Sequence, residues 1–520
     1  MLTSGKLPLM ERGIPEDIVS FYHFLQSAGR WEGNSQGKNI QRLVNCKDIY
    51  YTSLTASHLI GGNAMEIIVL NGSPKGDVSV TMQYVNFIQK KFPQHKLKVF
   101  NISQTIKKLE KDEDVFQEII EAVKVSDGVL WAFPLYYLLV PSQYKRFIEL
   151  ISEKRVEEVF SKKYTAVLTT SIHFFDHSAH NYIHAICDDL GMKYVDYFSA
   201  DMDDLLKEEE RERLSLFAAS FFEAIENNMP TSRSYAPLSY SDFSYTPGNV
   251  VNRIDTGNKK ILIIADSVDS KTNLGKMVER FKHSLSGEAE VVCFDDLDIR
   301  GGCLGCIHCS FDNVCVYQDG FSDFFNTKLQ KADILIYGGT IKDRYLSWQI
   351  KQIFDRGFFR GHTPILSGKQ VGFIISGPLR QIPNLRQILE AQVQFGQANL
   401  VDFITDEYAD SATIDGLLEN LAGRLIWCAN HSYTKPVTFL SVGGRKLFRD
   451  DIWGRLRFVF QADHRFYKSH GFYDFPQKDI KVRAFNFVMM LLTKIPAVKK
   501  AFVKSVKENM IKPHKKIVES

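Results

Sequence analysis

Cysteine is scarce in this chain, and long apolar runs are missing. Only eight cysteines occur in 520 residues, and four of them, Cys46, Cys187, Cys293 and Cys428, are scattered. This is not the disulfide framework of a secreted protein. No run approaches the roughly 20 apolar residues needed to cross a bilayer. The opening MLTSGKLPLMERGIPED has no apolar core of signal-peptide type. These absences predict a cytoplasmic protein. No G-x-G-x-x-G fingerprint is present either, so tight dinucleotide binding is not indicated. What remains is ordinary globular composition, 44% hydrophobic and 24% charged.

The formal net charge of +3 hides an asymmetry. From Lys435 to Ser520 the chain carries 19 Lys and Arg against 7 Asp and Glu, a local +12 that leaves −9 elsewhere. Such a tail speaks of partners, not of fold.

The other four cysteines are concentrated. Cys303, Cys306, Cys309 and Cys315 are spaced C-x2-C-x2-C-x5-C within GGCLGCIHCSFDNVCVYQDG. Four thiols so close can converge on one small object. An iron–sulfur cluster, which takes four thiolates, is the leading reading. A zinc site more often draws on two separated pairs, and a disulfide is the remaining alternative.

Short apolar runs alternate with helical patterns twice. EIIVL, LKVFNI, GVLWAF, TAVLTTS and MKYVDYF read as buried strands of a first domain, residues 63–228. KKILIIAD, AEVVCFD, DILIYGG, KQVGFIIS and NLVDFIT repeat the order in a second domain, residues 259–432, about 195 positions later. YKRFIEL of the first helix set is echoed by IKQIFDR. Residues 229–258, rich in Ser, Pro, Tyr and Gly, read as a linker. Residues 1–62 hold one expected helix, PEDIVSFYHFLQSAG, in an N-terminal extension. The expected fold is α/β: two tandem flavodoxin-like, doubly wound, five-stranded parallel-sheet domains, followed by a basic, mainly helical region over 433–520.

In this fold ligands sit outside the C-terminal ends of the strands. Three loops of the first domain lie there. The first holds Gly72, Ser73, Pro74, Lys75, Ser79 and Thr81, whose small residues, hydroxyls and following helix suit a phosphate. Gly-Ser-Pro is also a common turn. The second holds Pro134, Leu135, Tyr136 and Tyr137, able to flank a planar ring or simply to pack. The third holds Ser171, His173 and His177, and the histidines are the candidate catalytic proton carriers. Surface-loop histidines without such a role are the commoner case.

On these residues the chain resembles the NADPH-dependent FMN reductase group of flavodoxin-like proteins, and especially the iron–sulfur flavoproteins. NGSPKG with Ser79 and Thr81 is similar to that group's FMN phosphate loop, FPLYYLLVPSQYKRFIE to its segment beside the isoalloxazine, and the four cysteines to its 4Fe–4S motif. The resemblance covers roughly residues 66–430. It implies an FMN-containing oxidoreductase that passes electrons between FMN and a 4Fe–4S cluster, with NAD(P)H as a transient donor and an unidentified small-molecule or protein acceptor. An electron carrier or redox sensor with the same cofactors, and a zinc-bound structural duplicate, are the alternatives. The chain departs from the family by dividing the motifs: flavin loops in the first domain, cysteines in the second. The second domain's own loops lack Gly-Ser-Pro and Pro-x-Tyr, although Ser267, Ser270, Thr272, Asn273, Tyr345 and Trp348 leave a second flavin open. The split predicts an internal pseudo-dimer, with homodimerisation open, in which the cysteines of one half face the flavin of the other.

The segment after Asn430 is aromatic and basic and predicts two helices broken near Pro496. An amphipathic cap packed on the second domain is the leading reading. Peripheral contact with an anionic membrane and docking of an acidic carrier are the sharper ones. No nucleic-acid module is legible.

Overall fold

The central apolar runs become strands because they are buried from both sides, which a sheet covered by helices on each face permits, while the edge strands are partly open. The computed structural model describes residues 63–519; the N-terminal extension and its expected helix lie outside the described residues. β1 (Glu66–Asn71), β2 (Lys96–Phe100), β3 (Gly128–Pro134), β4 (Tyr164–Ser171) and β5 (Lys193–Asp201) form a parallel sheet in the order β2-β1-β3-β4-β5. β6 (Ile261–Ala265), β7 (Ala289–Cys293), β8 (Ile334–Lys342), β9 (Tyr345–Leu346), β10 (Gln370–Ser376) and β11 (Asn399–Thr405) form the second sheet, with parallel order β11-β10-β8-β6-β7. Both sheets therefore share one winding, with the switch in chain direction between the first and third strands.

The second sheet has six strands rather than the expected five. β9 folds back antiparallel on β8 through Asp343 and Arg344, both with positive φ. Tyr137 and Leu138 make the matching turn in the first half, closed by paired hydrogen bonds between Tyr136 and Leu139. Consecutive left-handed residues without glycine store on the order of 1–3 kcal/mol each, so the surrounding packing must hold these turns. Helices at Ile102–Lys111 and Phe321–Thr327 are also additional to the sequence reading.

The outer faces of the two sheets have separate cores, but the inner faces share one. Trp131, Phe133, Tyr144 and Phe147 of the first half belong to the same buried cluster as Tyr345, Ile350, Ile353 and Phe373 of the second. Each such side chain contributes roughly 1.5–3 kcal/mol by leaving water. At the centre, the helices Ser142–Glu153 and Trp348–Arg356 exchange reciprocal contacts. Lys145 Nζ binds Glu149 (2.7 Å) and the Lys342 carbonyl (2.9 Å). Lys351 Nζ binds Asp355 and the Tyr136 carbonyl (2.9 Å). Glu149 accepts the amide of Trp348 at 2.7 Å, and Asp355 accepts that of Ser142 at 2.7 Å. Every residue of one set stands the same number of positions after its counterpart in the other, so like elements of the two halves contact each other reciprocally.

The 229–258 segment has no helix or strand but is strapped down. Ser234 and Tyr235 donate backbone amides to Asp188, each at 2.8 Å, and the buried Tyr245 hydroxyl binds Asp415. In the C-terminal region the helices Phe439–Trp453 and Gln461–Ser469 pack onto both halves. Arg455 reaches Asp201 at 2.6 Å, and Arg465 reaches the Phe311 carbonyl at 2.6 Å. The helices Ile480–Leu492 and Pro496–Val518 do not follow them, and none of their described residues is buried. The expected cap is thus corrected: it is made by the first two helices only, because the last two find no apolar surface to cover.

Candidate functional site

A cavity of about 330 Å³ lies at the C-terminal ends of β1, β3 and β4. Its volume is within the usual range for a small-molecule site. Ser73, Lys75, Ser79 and Thr81 form one wall, Pro134, Leu135, Tyr136 and Tyr137 a second, and Ser171 with Phe174 a third. The second half contributes Cys303, Gly305, Phe358, His362 and Gln392, and the C-terminal helices roof it with Phe448 and Phe460.

The phosphate-type wall is built locally. Asn71 Oδ1 accepts the Ser73 amide at 2.9 Å, and Ser73 Oγ accepts that of Lys75 at 3.3 Å. Ser79 caps the helix Val80–Lys91 by accepting the Met82 amide at 3.3 Å. That helix therefore presents its N-terminus, with its partial positive charge, to the cavity. Thr81 Oγ1 lies 2.6 Å from Thr170 Oγ1, joining the β1 and β4 loops. Gly72 and Pro74 stand behind the wall. A Cβ on Gly72 would meet Phe133 and the Tyr144 ring at 2.7–2.8 Å, so its smallness serves packing.

The third loop divides by direction. Phe174 turns inward, with ring centroids 5.0 Å from Phe395 and 4.8 Å from Phe448. Neither His173 nor His177 lines the cavity. His173 Nδ1 lies 2.9 Å from Asp176 Oδ2, which also accepts from Ser199 Oγ at 2.6 Å. The Asp176 hydrogen bond raises the His173 imidazole above its ordinary value. Burial alone would raise Asp176, but the bonds from His173 and Ser199 hold it well below the usual carboxylate range.

A different histidine reaches the cavity. His362 lines it, packed 4.3 Å from Phe448 and 4.9 Å from Phe460 by ring centroid. Its Nδ1 lies 3.1 Å from Asp463 Oδ2, and its carbonyl accepts the Tyr467 hydroxyl at 3.0 Å. Sequence reading missed this pair because its members lie about a hundred residues apart on unrelated elements. Gln392 was missed as well. Its two amide atoms are buried and make no close hydrogen bond, with only a looser approach to the Tyr345 hydroxyl.

The cysteine loop is pressed against the flavin-type loop. Gln143 Nε2 donates to the Cys303 carbonyl at 3.0 Å. Gly305, at φ +60°, sits where any Cβ would run into the Tyr136 hydroxyl, and Gly302 where it would meet Ser142 and Gln143 at 2.6 Å. Burial pushes the Cys303 and Cys309 thiols each up to about 12, and the neighbouring Cys315 adds to both shifts. Arg356, paired with Asp319 at 2.8 Å, comes within 4.0 Å of Cys315 Sγ. All four thiols are free. The donor set fits a thiolate-ligated group in type. Even so, among the described residues no three Cys, His, Asp or Glu side chains converge as a metal cage.

In the second half the corresponding positions make packing contacts. Thr272 caps the helix Asn273–His283, Asn273 binds Asp406 at 3.0 Å, and Tyr345 and Trp348 lie in the contact between halves. Arg344, at the position matching Leu138, is buried with Asp189 and the Ala236 carbonyl.

Residues 65–202 match the model of the NADPH-dependent FMN reductase family. No curated protein matches the chain. Among solved structures, the flavoenzyme NAD(P)H:(acceptor) oxidoreductase FerB from Paracoccus denitrificans is 17% identical, with a TM-score of 0.27, and the similarity covers 32% of this chain and 98% of that one. An FMN-dependent NADH-azoreductase from Bacillus anthracis, solved with FMN, is 14% identical, with a TM-score of 0.24, and the coverage is 32% and 99%.

Proposed function

We propose that the chain is a flavin-dependent oxidoreductase of the NAD(P)H-dependent FMN reductase type, with one FMN in the cavity between the halves. The observation that carries this reading is the cavity itself. A helix N-terminus and hydroxyls stand at one wall, aromatic and apolar groups line the rest, and an under-bonded amide at Gln392 suits a polar ring edge. FMN would supply the hydride acceptor, and NAD(P)H would dock transiently. Ser73, Lys75 and the start of the helix Val80–Lys91 would hold the phosphate. The Tyr136–Leu139 turn would orient the ring. Phe174, Phe448 and Phe460 exclude water, which strengthens each polar contact inside. His362, fixed by Asp463, would give or take the proton that accompanies hydride transfer to an acceptor.

Cys303, Cys306, Cys309 and Cys315 would hold a 4Fe–4S cluster beside that site, supplying single-electron chemistry. The support is the four free thiols on a loop whose first member lines the cavity. The two halves would then be a fused duplicate that assembles one site from two incomplete ones. The test is anaerobic purification, with FMN, iron and sulfide counted per chain and NAD(P)H oxidation followed with quinone acceptors. One FMN with four irons supports the full reading. FMN with no iron keeps the oxidoreductase and removes the cluster. A chain that neither retains nor rebinds FMN defeats the proposal.

A further inference from the structure

The last two helices are built in a way that water does not favour. Ile480–Leu492 reads IKVRAFNFVMMLL, apolar on almost every side, yet Phe485, Phe487 and Met490 are 64%, 63% and 67% exposed. A helix apolar all round belongs in a protein core or in lipid. At thirteen residues it is too short to span a bilayer, and no described helix is long and apolar enough to do so. The helix Pro496–Val518 is different. Val498, Phe502, Val506 and Met510 recur every four residues on one face, and Lys500, Lys504 and Lys507 stand away from it. From Ile480 to Lys507 there are seven Lys and Arg and no Asp or Glu.

We propose that this helical pair is an interfacial anchor that lays the protein on an anionic phospholipid surface. The exposed aromatic and Met side chains enter the boundary between headgroups and acyl chains, and the lysines remain at headgroup level by extending their stems. Charge selects this occupant. Each basic residue near an anionic leaflet adds roughly 1 kcal/mol, so the seven act together. A second copy of the chain would instead bring two like-charged surfaces into contact. Residues 1–62 carry six Lys and Arg against five Asp and Glu, so charge does not select them either. The inference is independent of the flavin reading, because the pair contributes no residue to the cavity.

Vesicle sedimentation of the full chain tests it, with phosphatidylcholine vesicles compared against vesicles containing about one-third phosphatidylglycerol. The full chain is expected to partition at least about tenfold better onto the anionic vesicles and to be released by salt. A chain ending at Asp479 should lose that binding while keeping its fold, since no described residue beyond it is buried. Two full-length variants guard against a trivial truncation effect. One reverses Lys499, Lys500, Lys504 and Lys507 to Glu; the other combines Phe485→Ser with Phe487→Ser. Both are expected to bind at least about tenfold more weakly. Equal binding by the full and shortened chains, or equal binding to both vesicle types, overturns the proposal. So does a lipid-free dimer that disappears on shortening, because the pair would then be covered by a second copy.

Discussion

His362 and His173 are both paired with a carboxylate, but only one of them faces the cavity. His362 has its ring against Phe448 and Phe460 and its Nδ1 on Asp463 at the cavity wall, where the proposed proton carrier would stand. His173 has its Nδ1 on Asp176 outside the cavity. Replacing His362 by Gln should lower turnover on the order of a hundredfold while FMN content stays unchanged. His173→Gln should leave both readouts in place, and the reverse result would move the proton carrier back to the third loop. A third histidine contributes to acid sensitivity instead. Burial lowers His180 to about 4, with Thr169 Oγ1 at 2.7 Å and the Tyr197 ring beside it, while Asp176 pulls the other way and His177 and His173 add to the lowering. Above pH about 6.5 the folded and unfolded forms are both neutral here and the group has no effect. As pH falls from there towards 4, the unfolded chain takes up a proton that the folded chain refuses. Stability therefore falls with pH across that window, by an amount on the order of 3 kcal/mol at most. Urea midpoints at pH 7.5 and pH 5 should converge in His180→Gln relative to the parent chain.

At the level of elements, the fold is held by two helices that cap each other. Asp355 is fully enclosed, accepts the Ser142 amide at the start of the opposite helix and pairs with Lys351. Burial pushes the Lys351 amine down and the Asp355 carboxyl up, and each partner opposes the other's shift. Asp355→Asn leaves a buried ammonium without its counter-ion, so a loss of roughly 3–5 kcal/mol is expected by chemical denaturation. The additional change Lys351→Met should return part of it, as removing both charges costs less than stranding one. A double variant no more stable than Asp355→Asn alone would show that the Ser142 cap, not the ion pair, carries the effect. Much of this architecture was legible in sequence. The strands stood out as apolar runs, and YKRFIEL against IKQIFDR already marked the helices that turn out to face each other. The β9 hairpin was not legible, because its turn uses Asp343 and Arg344 where glycine or asparagine would have signalled it. The first-half loops that line the cavity were legible because they are contiguous and follow strands. His362, Gln392 and Asp463 were not, because they come together only when the second half and the C-terminal helices close over the first.

For the whole molecule, the consequence is that no single sheet unit contains the site. The 65–202 region supplies the loops, the second half supplies Cys303 and His362, and the C-terminal helices supply the roof. Two truncations separate these contributions. A chain ending at Asp479 keeps Phe448, Phe460 and Asp463 and should bind FMN like the full chain. A chain ending at residue 432 loses all three, which opens the cavity and leaves His362 without its carboxylate. Removing two large apolar walls costs roughly 3 kcal/mol of burial, so FMN binding should weaken on the order of a hundredfold. Quenching of FMN fluorescence on titration measures both. The combined change Phe448→Ser and Phe460→Ser in the full chain should weaken binding in the same direction, which separates loss of the roof from failure to fold. If both the shorter chain and that variant bind FMN as tightly as the parent, the ring does not lie under the C-terminal helices, and the two sheet halves hold it without them.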